Sequence, residues 1–191
     1  MGNMEALYNT WKAIGVSGGD LSFFQNFFVK FYQAFIEADR WLQYLNGVKT
    51  TLLVTALALI LGVALGVTVA ILRTAHDQQR PGHRNPVLAV LNLVCKIYVT
   101  VIRGTPMMVQ LLIMGFVIFA SSRNFTMIGT LTLGINSGAY VSEIVRGGLM
   151  SVDKGQMEAG RSLGLGYGTT MRFVIVPQAV KAILPALGNE F

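Results

Sequence analysis

From Thr50 to Leu72 the chain runs for 23 residues without one charged side chain. At about 1.5 Å of rise per residue, a helix of that length crosses the hydrocarbon of a bilayer with some tilt. Composition points the same way. Of 191 residues 53% are hydrophobic and only 13% charged, and that charge fraction is about half that of a soluble domain. Soluble globular and disordered classes are excluded. At about 20 apolar residues per span, the length allows one all-α, multi-span helical domain with four or five crossings. The net charge of +6 invites a nucleic-acid partner. Most of the Lys and Arg fall outside the apolar runs, as positive-inside sorting requires, so the expected partner is lipid and no nucleic acid.

Residues 1–20 are mixed. Beyond them Phe24, Phe27, Phe28, Phe31 and Phe35 recur at helical spacing, with Gln25, Asn26, Lys30, Gln33 and Glu37 opposite. Such a helix suits a membrane interface better than a span; the plainer alternative is an extension of the first span packed on neighbours. Trp41 and Tyr44 mark an aromatic belt ahead of a first span over about Gly47–Leu72, in which Gly62 and Gly66 form a smooth stripe for helix contact. No basic region precedes an apolar core at the N-terminus, so no cleaved signal peptide is expected and the first span directs insertion. The domain division is therefore 1–46, extracytoplasmic or interfacial, and 47–191, spanning.

Residues 73–85 form a basic loop. His76 and His83 have no cysteine nearby and a Pro81-Gly82 break between them, so no metal site is expected. Pro86–Ser122 is too long for one simple span and holds Arg103-Gly104-Thr105-Pro106, which reads as a hinge with Thr105 as N-cap and Pro106 as first helical residue. An arginine at mid-membrane costs roughly 3 kcal/mol, so Arg103 must face protein, water or a headgroup. After a turn at Arg123-Asn124, a third span over about Met127–Met150 is rich in small residues. Glu143 and Arg146 share a face there, either as a structural pair or as lining of a path. A fourth span starts near Thr169–Met171 and runs to Phe191, kinked by Pro177 and Pro185, with Lys181 snorkelling or facing a cavity. The lone Cys95 can form no intrachain disulfide and reads as a buried hydrophobe.

Between the last two spans lies a polar insert, 151–168. Ser151 or Asp153 can cap a helix, Glu158–Leu163 are mostly helix formers, and Gly164 suits a stop; Gly164, Gly166 and Gly168 then read as a flexible stalk. The pattern Glu158-Ala159-Gly160, three residues, Gly164, nine residues, Val174-x-Val176-Pro177 resembles the signature of ABC-importer permeases, with Gly160 in place of the usual Ala and Val176 in place of the usual Leu. Arg103-Gly104-Thr105-Pro106-Met107-Met108-Val109-Gln110 and Asn136-Ser137-Gly138-Ala139-Tyr140-x-x-Glu143-Ile144-Val145-Arg146-Gly147-Gly148 resemble the polar amino-acid branch of that family. Leu184–Phe191 resembles the family's continuation into one further span, so the resemblance implies a permease domain stopping before its last span.

The resemblance implies a type I ABC-importer permease in the cytoplasmic (inner) membrane of a prokaryote. Its partners would be a cytoplasmic ABC ATPase dimer, a second permease subunit, identical or a sister, and an extracytoplasmic substrate-binding protein. ATP would sit on the partner; this chain would bind no cofactor, as it lacks a Gly-x4-Gly-Lys-Ser/Thr loop. The coupling surface would comprise Glu158, Ala159, Gly160, Arg161, Leu163 and Gly164, with Leu163 as the apolar knob. Arg103, Gln110, Asn136 and Glu143, polar at membrane depth, are candidates for the substrate path. Charge mapping places the N-terminal segment outside and the loops at 73–85 and 146–172 inside. The chain is read as no enzyme: no catalytic residues are assigned. Importers of another small solute remain an alternative. A secondary transporter would need inverted repeats and more intramembrane acids, and an intramembrane enzyme a Ser/His pair or a His-Glu-x-x-His helix; neither pattern occurs.

Overall fold

A computed structural model describes residues 2–79 and 85–190, nearly all of them helical; among these there is no strand. The residues His83 and Gly82 of the basic loop lie outside the described range. The chain divides into two compact units, Met1–Leu52 and Leu53–Phe191.

In the first unit α1 (Gly2–Val16) lies antiparallel to α2 (Phe23–Phe35). Tyr8 stacks on Tyr32 at 4.3 Å and Trp11 meets Phe28 edge-on at 5.3 Å. α1 was not legible, because Tyr8 and Trp11 are the few residues that define its apolar side. Phe28 corrects the expected five-residue phenylalanine face: it turns toward α1, while Phe23 joins Phe24, Phe27, Phe31 and Phe35 outside. The turn Glu37–Asp39 holds Ala38 at φ 55° and Asp39 at φ 53°, a conformation costing roughly 1–2 kcal/mol per side-chain-bearing residue. Hydrogen bonds hold it there. The Glu37 carboxylate accepts from Tyr8 Oη and Lys12 Nζ, each at 2.8 Å, and Arg40 Nη1 donates to Gln33 O at 2.8 Å. The bond to Glu37, seconded by Tyr8, raises the Lys12 ammonium above its ordinary pKa.

α3 (Arg40–Asp77) is longer at both ends than the span read from hydropathy, since no proline interrupts it. In the second unit follow α4 (Pro86–Gly104), capped by Asn85 Oδ1 accepting from Val87 N at 2.9 Å, and α5 (Met107–Ile113) with a π-helical turn at Met114–Ile118. The restart between α4 and α5 differs from expectation. Thr105 ends α4 rather than capping α5, its hydroxyl donating back to Val101 O at 2.9 Å, and Pro106 is the N-cap. The residue before a proline is pushed to extended backbone, and Thr105 has φ −115° and ψ 141°. Then come α6 (Phe125–Met150), α7 (Lys154–Ser162), α8 (Tyr167–Thr170), a π-helical turn at Met171–Ile175 and α9 (Val176–Glu190). The wide turn ends just before Pro177, whose ring nitrogen cannot donate to the preceding turn.

Three stretches are long and apolar enough to cross a membrane, Glu37–Asp77, Pro86–Gly104 and Tyr167–Glu190. α6, with 26 residues, is about 39 Å long and long enough as well, and its run is interrupted by Asn136, Ser142 and Glu143. Its surroundings explain this: α6 is the central helix, with Thr132, Asn136, Ala139, Val141 and Ser142 buried, while α3 and α4 present Leu52, Leu57, Ile60, Val90, Leu93 and Ile97 outward. Apolar residues outside and small or polar ones inside is the inversion that lipid favours. The Gly62/Gly66 stripe does bring α3 onto α6; a Cβ on Gly66 would lie 2.5 Å from Val141 Cβ and 2.9 Å from Gly138 O. Ala70, Val141, Val145, Ala179 and Ile183 form the core joining α3, α6 and α9.

Candidate functional site

The polar insert folds as a short, firmly closed helix. Asp153 is its N-cap, Oδ1 accepting from Gly155 N at 2.6 Å, while Ser151 belongs to the end of α6, its hydroxyl donating to Gly148 O at 2.8 Å. At the other end Leu165 N donates to Gly160 O at 3.0 Å and Gly164 N to Arg161 O at 2.9 Å, with Gly164 at φ +77°. This paired closure is the Schellman motif, and its left-handed residue favours glycine. Leu163 therefore projects at the tip, 80% exposed.

The six proposed coupling residues divide between two faces. Glu158, Ala159, Arg161, Leu163 and Gly164 are exposed. Gly160 faces inward: it is buried, and a Cβ there would lie 2.5 Å from Thr170 Cγ2. It mounts α7 on α8. The expected glycine stalk is also tighter than a stalk, because Gly166 is the N-cap of α8 and Gly168 lies within it. Further bonds brace the mount. Tyr167 Oη donates to Gln78 Oε1 at the end of α3, and Gln178 Nε2 of α9 donates to Gln156 Oε1 at 3.3 Å. Between α3, α6, α7 and α8 lies a cavity of about 470 Å³, lined by Asp77, Gln78, Asp153, Glu158, Arg161 and Tyr167 among others.

Two of the four path candidates, Asn136 and Glu143, lie along one stripe of α6. Asn136, Tyr140 and Glu143 are spaced four and three apart, hence on one face. Gln110 reaches Asn136, its Oε1 accepting from Nδ2 at 3.0 Å, and its Nε2 donates to Ile102 O at 2.8 Å and to Thr105 Oγ1 at 2.8 Å. Gln110 thus satisfies the carbonyl freed where α4 breaks and ties the break to α6. Arg103 does not join them; it stays exposed, its guanidinium 5.1 Å from the Tyr140 ring centre, a cation–π distance. Glu143 bonds Arg146 at 3.0 Å and also Arg73 of α3. Arg73 is a partner that spacing along the chain does not reveal, since pairing between helices leaves no local pattern. His76 pairs with buried Asn92, 3.0 Å from Nδ1 to Nδ2, and among the described residues no cluster could hold a metal.

Gln110→Ala is expected to lower the thermal midpoint of the purified protein, since it strips partners from Asn136 and from the Ile102 carbonyl at about 1–3 kcal/mol per buried group left unpaired. Thermal unfolding of Gln110→Ala, Asn136→Ala and the double variant checks this. Additive losses would contradict a shared network.

Residues 87–191 match the family described as "Binding-protein-dependent transport system inner membrane component". The glutamine transport system permease protein GlnP of Escherichia coli K12 is 36% identical over 154 residues, 77% of this chain and 64% of that protein. The arginine transport system permease protein ArgU of Corynebacterium glutamicum is 36% identical over 155 residues, 73% of this chain and 46% of that one. A relative from Rickettsia prowazekii, 37% identical, is covered over 63% of its length. The chain thus spans less than two thirds of each of these relatives. A crystal structure of an amino acid ABC transporter with histidines superimposes with a TM-score of 0.62 at 40% identity, covering 78% of this chain and 69% of that one.

Proposed function

The chain belongs to the binding-protein-dependent transport system inner membrane component family, and from that premise we propose that it is the permease subunit of an ABC importer for a polar amino acid. The observation that carries this reading is α7: a capped helix of nine residues, braced from α3, α8 and α9, that presents Leu163 at an exposed tip. A bracket of that kind suits transmission of force between a separate motor and the spanning helices. Relatives named for glutamine and arginine transport support a polar amino acid as the solute.

In this reading a cytoplasmic pair of ATPase subunits binds and hydrolyses ATP, and each grips the outer face of a coupling helix formed by Glu158, Ala159, Arg161 and Leu163. A second permease, identical or a sister, completes the path, and an extracytoplasmic binding protein delivers the solute. The 151–168 segment lies in the cytoplasm and the N-terminal unit outside. Closure of the ATPases displaces α7, and the brace through Gly160–Thr170 and Tyr167–Gln78 carries that displacement to α9 and α3. Arg103, Gln110, Asn136 and Glu143 line the solute path in this reading.

Uptake of a panel of labelled amino acids by cells carrying the transporter, with and without this chain, tests the assignment. Loss of uptake of one polar amino acid is expected when the chain is absent. Undiminished uptake of every member would reject it.

A further inference from the structure

The first unit lies outside the residues that match the family, which begin at 87, and it carries an aromatic surface that packing does not use. Phe23 and Phe24 are each 79% exposed and Phe27 62%. Phe31 and Phe35 are also exposed, so the outer face of α2 is a continuous phenylalanine strip. The opposite face is consumed by α1 through Tyr8–Tyr32 and Trp11–Phe28.

The strip has a direction. Phe27 and Phe31 rings lie 6.3 Å apart, Phe31 and Phe35 4.9 Å, and Phe35 and Tyr44 5.2 Å. The aromatic ladder thus passes from α2 across the Glu37–Asp39 turn onto α3. Tyr44 stands six residues, about 9 Å along the helix, before the uncharged run that opens at Thr50. That is the level at which aromatic rings mark the boundary of a bilayer. The bonds from Tyr8 and Lys12 to Glu37 and from Arg40 to Gln33 O hold α2 against the start of α3, where Phe35 meets Tyr44.

We propose that α2 is an interfacial membrane anchor, its Phe23–Phe24–Phe27–Phe31 face set into the leaflet at which α3 enters. The occupant of the strip is lipid rather than protein because the strip is continuous with the boundary belt of a spanning helix. Charge supports a contact made by apolar burial. Lys12, Lys30, Arg40 and Lys49 balance Glu5, Asp20, Glu37 and Asp39 over residues 1–49, so the anchor needs no anionic lipid and resists salt.

The test uses the full chain in phosphatidylcholine nanodiscs, in a Cys95→Ala background, with spin labels at Phe24→Cys, Phe27→Cys or Asn26→Cys. All three sites are exposed and none carries the ring contacts to α1, which come from Phe28 and Tyr32, and Asn26 lies on the polar flank of α2. Collision rates with oxygen and with a water-soluble nickel chelate are compared. The ratio of oxygen to nickel is expected to be at least several-fold higher at both phenylalanine sites than at Asn26, and unchanged in high salt. Equal nickel access at the three sites would overturn the proposal. So would phenylalanine sites that become shielded only on addition of a substrate-binding protein, an outcome that assigns the strip to protein docking.

Discussion

Glu143→Ala is expected to destabilise the spanning unit by about 3–5 kcal/mol, because it leaves two guanidinium groups facing each other with no counter-charge. Glu143 sits between Arg73 of α3 and Arg146 of its own helix, with side chains 22%, 12% and 25% exposed. The residual exposure places the loss toward the lower end of that range, since water screens part of the repulsion. Among the described residues the Nε atoms of Arg73 and Arg146 already lack partners, and beyond Glu143 the Arg146 guanidinium has the weak thioether acceptor of Met150, 3.0 Å from Nη1. Glu143→Gln keeps a hydrogen-bond acceptor but not the charge, and should fall between wild type and alanine. Replacing all three residues by methionine should recover most of the loss, since well-packed apolar groups replace a buried ion network at little cost. Thermal unfolding of the detergent-purified variants reads all of these. An unchanged midpoint for Glu143→Ala would show that the cluster is solvated and does not join α3 to α6.

How much of this was legible beforehand varied with the kind of signal. Spans were legible where lipid sets the composition. α3 and α4 carry apolar faces to the outside, and hydropathy finds them. α6 was found instead by its small residues, because a helix surrounded by helices needs close approach more than hydropathy. The ends of α7 were legible because caps are local: Asp153 and Gly164 act on backbone groups within a few residues of themselves. What could not be read was anything set by a distant partner. Gly160 fits a docking surface and a packing contact equally well until Thr170 is placed opposite it. Gln110 and Asn136 were both noted as polar groups at membrane depth, yet 26 positions separate them, and nothing in either segment announces that they bond. The same holds for Arg73 with Glu143 and for Tyr167 with Gln78. The left-handed turn at Ala38-Asp39 was invisible for a different reason. Neither residue is glycine, and the turn exists only because Tyr8, Lys12 and Gln33 hold its neighbours.

The exposed face of α7 is proposed as the place where an ATPase grips this chain, and the Leu163→Asp variant decides whether it is. Leu163 is 80% exposed here, so the substitution costs the isolated chain little. In a docked complex the leucine would be buried, contributing about 1.5–3 kcal/mol, and the new carboxylate would instead be desolvated without a partner. Gly164→Val is the companion. It forces a branched side chain into the φ +77° position and should mis-aim the tip while leaving partial docking, so that ATP hydrolysis continues with less uptake. Gly160→Leu should act differently again, by pushing α7 off Thr170 and lowering the amount of folded protein. The deciding measurement is co-purification of the ATPase with Leu163→Asp, alongside amino-acid uptake, at expression matched to wild type. Both are expected to be lost while protein in the membrane stays near the wild-type level. Normal co-purification and normal uptake would mean that the ATPase does not hold this helix.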